Sequence, residues 1–211
     1  MNALSDIAEA SPVGLRDVQT AEALSAFLED DCAAAIWRHP VVSGFQAWID
    51  ALPVDRLPNA RVVLKPGNVR RAVDDICIAS GVPGGPERDR FAENVAALSD
   101  IFAKLTEASY LRLRLSVVTS NSCRKFHRDA VAARMVCTYR GTGTQYGTSQ
   151  NGLDPARIFT APTGSPVLLR GTLWPERPAT GLVHRSPPIE GTGETRLVLV
   201  LDCLTEHEEE F

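Results

Sequence analysis

No stretch of the 211-residue sequence is long and apolar enough to span a bilayer; the longest unbroken apolar runs are Cys32 to Trp37 and Leu197 to Leu201. The first dozen residues, MNALSDIAEASP, lack the basic start and apolar centre of an export signal, so the expectation is a cytoplasmic protein with no membrane partner. No CxxC pair occurs among the five cysteines, an odd number, which argues against a disulfide framework and for reduced, mostly buried thiols. No serine or cysteine sits in a recognisable nucleophile motif, which leaves acyl transfer without support. GTGT (141–144) and GTGET (191–195) are glycine-rich, yet neither joins a strand to a helix with a following lysine. They read as hairpin turns, not phosphate loops.

What is present is an ordinary folding composition, 44% hydrophobic and 23% charged. It suffices for one substantial core, and the length is too short for two domains of typical size. We expect a single domain over 1–211: a flexible start at 1–14, a mainly helical layer at 15–109 and a β-rich core at 110–204. A net charge of −4 argues against broad nucleic-acid binding. Between Tyr110 and Arg140, however, Arg112, Arg114, Arg124, Lys125, Arg128, Arg134 and Arg140 face Asp129 as the lone acid. Such a segment attracts carboxylate or phosphate ligands. The acidic end EHEEEF reads as solvated, and the oligomeric state is left open.

Periodicity separates the two halves. Thr20 to Asp30 reads as a short amphipathic helix, AAAIWRHP as a strand stopped before Pro40, Gly44 to Leu52 as a helix and RVVLK (61–65) as a strand. Asn68 to Ala79 has helical spacing, and Pro86 to Ala108 is the clearest helix, with Phe91, Val95, Leu98, Phe102 and Leu105 recurring on one face. Beyond Tyr110 the period becomes two: Leu111, Leu113 and Leu115 alternate with Arg112, Arg114 and Ser116. The segments VAARMVCTY, TQYG, IFTA, SPVLLRG, GLVH and TRLVLVLDC follow as strands between turn residues. Helices first and short strands afterwards predict an α+β protein whose N-terminal helices pack on one face of a β-sandwich or jelly roll.

The residues with metal chemistry lie in the β-rich half. His127 and Asp129 form HRD just before a strand, and a spacing of two in extended chain points both side chains the same way. A third ligand must come from a distant strand. His184 is the best placed, because His39 adjoins a proline and His207 lies in the acidic tail. Two histidines and one carboxylate with open positions are the ligand set of non-haem Fe(II) oxygenases. Twelve residues on, Arg196 opens a strand that is apolar on both faces, and a buried arginine calls for an anion such as a carboxylate held by its planar fork.

The order HxD, strand, glycine-rich turn, apolar strand, His184 and Arg196, above all HRSPPIEGTGETRLVLVLD, resembles the C-terminal half of the iron(II)/2-oxoglutarate dioxygenase superfamily from about Tyr110 to Cys203. CRKFHRD together with that stretch resembles, over most of the chain, an uncharacterised bacterial family, domain of unknown function 1826. The first resemblance implies a double-stranded β-helix, Fe(II) on His127, Asp129 and His184, 2-oxoglutarate on Arg196, and hydroxylation or demethylation of a small-molecule or anionic substrate. Arg112, Arg114, Arg128 and Tyr146 are the nearest candidates to contact that substrate. The second implies a metal-linked role without naming an activity.

The residues leave other readings open. Cys123 and His127, joined by Cys137 or Cys203, would form a Zn(II) site of a non-catalytic metal-binding protein linked to metal homeostasis. His127 and Asp129 would serve equally as a hydrogen-bonded turn, and Arg196 as a neutralising partner of Asp202 or Glu194.

Overall fold

The computed structural model describes residues 11–38, 42–175 and 178–204. The expected flexible start falls mostly outside these residues, as do His39 and His207. In chain order the elements are β1 (Leu15–Val18), a 3₁₀ helix (Glu22–Leu28), β2 (Ala34–Trp37), α1 (Ser43–Ala51), β3 (Ala60–Leu64), α2 (Val69–Ala79) and α3 (Pro86–Thr106). Then come β4 (Tyr110–Val118), β5 (Ala133–Arg140), β6 (Gln145–Thr148), β7 (Phe159–Thr160), β8 (Val167–Arg170), β9 (Leu182–Arg185) and β10 (Arg196–Leu204). The chain is thus α+β. Among the described residues no helix is long and apolar enough to cross a membrane.

Seven strands form one sheet in the order β1-β2-β8-β5-β10-β4-β3, and three form another in the order β7-β6-β9. Strand alternation in the large sheet decides what each face meets. Leu111, Leu113 and Leu115 of β4, Met135 and Cys137 of β5, and Leu197, Leu199 and Leu201 of β10 are fully buried in one cluster with Val73, Phe91, Val95, Leu98 and Phe102 of the helices. The opposite face contributes Val136, Val167, Leu169 and Val198 to a second cluster with Tyr146 and Leu182 of the small sheet. The large sheet is the middle layer, with helices on one side and the small sheet on the other.

The principal helix begins where proline is tolerated, at Pro86, with Glu87 and Asp89 in its positive first turn, and ends on Glu107 in the left-handed conformation. Thr20 to Asp30 departs from expectation: it yields only the seven-residue 3₁₀ helix, held by its buried Leu24 and Phe27. The glycine-rich turns also depart from it. GTGT joins β5 of the large sheet to β6 of the small one, and GTGET joins β9 back to β10, so both are crossings between layers, not hairpins. Crossing at Gly141 (φ +79°) is tight: a Cβ there would stand 2.9 Å from Cγ of Arg196.

Candidate metal and anion site

The HRD segment is fastened to β9. His127 N–H donates to the His184 carbonyl and His184 N–H donates to the His127 carbonyl, both at 3.0 Å, in an isolated antiparallel bridge. This reciprocal pair brings two imidazoles far apart in sequence to 4.6 Å between ring centroids. Asp129 is held from behind, since its carbonyl accepts from Thr172 N–H at 2.8 Å. Gly171 makes that approach feasible, because a Cβ on it would lie 1.9 Å from the Val131 carbonyl oxygen and 2.8 Å from that of Asp129.

One ligand atom from each of His127, Asp129 and His184 falls within 4.8 Å of the others. Nδ1 of His127 lies 2.8 Å from the Lys125 carbonyl; donating there, the ring keeps its Nε2 lone pair for the site, 3.4 Å from Asp129 Oδ1. Nε2 of His184 stands 3.1 Å from Asp129 Oδ2. That contact lacks hydrogen-bond alignment, so Oδ2 is buried without a donor. Burial works against ionisation of Asp129, but His184, Arg134 and His127 outweigh it and hold the carboxyl below its ordinary range. A buried, ionised carboxylate flanked by two imidazoles, with one oxygen lacking a hydrogen-bond donor, is an arrangement that a cation completes.

Arg134 is the site residue that sequence reasoning left among the merely basic ones. Its Nη1 donates to Asp129 Oδ1, while Nε and Nη2 donate to the two oxygens of Asp202 at 2.6 and 3.1 Å. Asp202 is 2% exposed, and burial of Arg134 is outweighed by Asp202 and Asp129, which keep its pKa raised. One guanidinium therefore ties the HRD loop to the floor of the large sheet.

Arg196 is 1% exposed. Nε donates to the Thr142 carbonyl at 2.7 Å and Nη2 to Thr138 Oγ1 at 3.3 Å. Neither acid considered from sequence pairs with it. Asp202 is taken by Arg134, and Glu194 accepts from Thr142, by N–H at 2.6 Å and by hydroxyl at 3.0 Å. Burial pulls the Arg196 guanidinium down to about 10, with the field of Glu194 only partly opposing. A cleft of about 130 Å³ is lined by Arg196 and all three triad residues. Val136, Val198 and Val200 supply its apolar wall.

Of the four substrate candidates, the structure brings only Arg114 to this cleft. Arg112 points to Asp202 at 3.9 Å, Arg128 is exposed beside a separate small cavity, and Tyr146 is buried between the sheets against Phe159. The thiolate set does not assemble among the described residues. Cys123 is exposed at the cleft, Cys137 lies in the helix-facing core with its thiol pushed up to about 12 by burial, and Cys203 Sγ meets the Ala133 carbonyl at 3.6 Å.

The sequence profile described as "Protein of unknown function (DUF1826)" matches residues 18–202. No curated protein matches the chain in sequence. Among solved structures, the chain is similar to dioxygenase for auxin oxidation 1 from Arabidopsis thaliana, determined as a complex with 2-oxoglutarate. That match has 13% identity and a TM-score of 0.55, and covers 91% of this chain and 92% of that one. It is also similar to dioxygenase for auxin oxidation in rice, at 17% identity and a TM-score of 0.50 over 92% of this chain and 83% of that one. At these identities the likeness is one of fold.

Proposed function

The chain belongs to the family described as protein of unknown function (DUF1826), and from its fold and its site we propose that it is an Fe(II)- and 2-oxoglutarate-dependent oxygenase acting on a small molecule. Residues 110–204 are read as a double-stranded β-helix. From β4 the chain passes to the His127 bridge in the small sheet, to β5, to β6 and β7 in the small sheet, to β8, to β9 in the small sheet, and to β10. One observation carries the reading: a single cleft holds both a buried carboxylate flanked by two imidazoles, with one oxygen left without a hydrogen-bond donor, and a buried arginine that no acid among the described residues pairs.

In this reading His127, Asp129 and His184 would hold the metal. Fe(II) bound there with 2-oxoglutarate supplies the oxygen-activating chemistry by which a substrate is hydroxylated or demethylated. Asp129 brings the negative charge, and Arg134 fixes which of its oxygens faces the ion by occupying the other. Arg196 binds the far carboxylate of the cosubstrate. Thr142 and Thr138 hold its Nε and Nη2, which sets the plane of the fork before the ligand arrives. The valine wall lowers the polarity beside these charged contacts and strengthens them.

Mixing the protein with Fe(II) and 2-oxoglutarate under anaerobic conditions tests this. A visible charge-transfer band should appear, and Asp129→Ala should abolish it together with metal retention, whereas Cys123→Ser should leave metal content unchanged. No band from the folded parent, or metal lost with Cys123 and kept without Asp129, would remove the proposal and favour a thiolate-held Zn(II).

A further inference from the structure

The cleft face of the large sheet carries more positive charge than its acids neutralise. Register sets Arg61 directly opposite Arg114, and Arg112 directly opposite Asp202, so the three arginines share one face of the sheet, with Arg114 lining the cleft. Like charges paired across strands destabilise a sheet. Asp202 is the acid among them, but Arg134 already binds both of its oxygens, so Arg114 reaches it only by a long Nη2 donation to Oδ2 at 3.4 Å and Arg112 stands off at 3.9 Å. Nε of Arg114 is buried with no hydrogen-bond partner. Burial above all, then the fields of Arg134, Arg61 and Arg112, lower its pKa against the pull of Asp202. A guanidinium that shares its one acid with two other arginines, keeps an unused buried Nε donor and lines a cleft can take a further anion.

This anion differs from the one read for Arg196. On β4, Arg114 pairs with Val200 and Val118 pairs with Arg196. Four residues of strand, roughly 13 Å at 3.3 Å each, separate the two cationic ends of the cleft floor. The triad reaches that floor through Arg134, which bonds both Asp129 and Asp202. We infer that Arg114 anchors a second anion site, and that the substrate of this cleft carries a carboxylate or phosphate bound there, with Arg61 and Arg112 adding charge from behind. The inference rests on the oxygenase reading for the word substrate, but the binding site stands on the arginines alone.

The test uses Mn(II)-loaded protein saturated with 2-oxoglutarate, so that the metal and Arg196 are occupied, and titrates it by calorimetry with benzoate and, separately, with phenyl phosphate. At least one should bind the parent, the tighter arm identifying the group. Arg114→Gln should weaken that binding tenfold or more while leaving 2-oxoglutarate affinity unchanged. Arg61→Gln, exposed and with no hydrogen-bond or ion-pair partner among the described residues, should weaken it about threefold, in line with a surface charge, and it keeps the inference open to refutation should Arg114→Gln fail to fold. Failure of both probes to bind the parent, or equal binding by a folded Arg114→Gln, overturns the inference. If 2-oxoglutarate itself does not bind the parent, the oxygenase reading falls and the same titrations run without it. Loss of probe binding in Arg114→Gln but not in Arg196→Gln then still upholds the anion site, and the reverse pattern overturns it.

Discussion

Replacing Arg196 with methionine separates an arginine kept for a ligand from one kept for the fold. Without ligand the guanidinium is buried and pulled down to about 10, and a depression of that order costs about 3 kcal/mol. Its bonds to Thr142 and Thr138 return roughly 1 kcal/mol each. The balance is close to zero or slightly unfavourable. Arg196→Met should therefore shift the unfolding free energy of the metal-free protein by no more than about 1 kcal/mol, whereas an arginine completing a buried ion pair would take about 3–5 kcal/mol with it. Affinity of the Mn(II)-loaded protein for 2-oxoglutarate should fall a hundredfold or more, roughly 3 kcal/mol. Arg196→Lys keeps the charge but loses the fork, and should weaken binding by about 1.5–3 kcal/mol. Urea denaturation and calorimetric titration read the two quantities separately. A loss of several kcal/mol in stability with 2-oxoglutarate binding untouched would refute the reasoning.

Arg134→Gln should be damaging on both counts, because it strips Asp202 of its bidentate partner and Asp129 of its orienting one. We expect about 3–5 kcal/mol of lost stability and about 10- to 100-fold weaker metal binding, measured by melts and by Mn(II) titration. The folded-state pKa of Asp129 lies below its unfolded value, so its contribution to stability is present above about pH 4 and is lost as pH falls through the lower folded value. Asp129→Asn should accordingly show a shallower loss of metal-free stability between about pH 5 and pH 3 than the parent, and an identical acid limb would contradict the assignment. Gly171→Ala forces a methyl against the Val131 and Asp129 carbonyls, and should cost about 1–3 kcal/mol and weaken metal binding through displacement of the HRD loop.

What could be read from the sequence was what periodicity and residue chemistry encode locally. The α3 stripe through Phe91, Val95, Leu98 and Phe102 and the alternation of β4 are direct records of burial, and both recur in the core. His127, Asp129 and His184 stood out by the HRD spacing and because the β half has no histidine besides these two. The short β1, LRDV, was not legible: four residues with two charges carry no strand pattern, and the strand forms by parallel pairing with β2. Arg134 was hidden for a related reason. A basic residue in a basic segment gives no sign that it faces a buried Asp202, nearly seventy positions away. The sheet crossings at GTGT and GTGET likewise depend on which strand pairs with which, a long-range choice that turn residues do not record.

The most direct measurement is an anomalous difference map from crystals soaked with Mn(II) and 2-oxoglutarate. The expected result is one strong peak among His127 Nε2, Asp129 Oδ2 and His184 Nε2, with dicarboxylate density running from it to the Arg196 guanidinium. A peak held by Cys123, or a triad peak with no dicarboxylate reaching Arg196, would contradict the oxygenase reading.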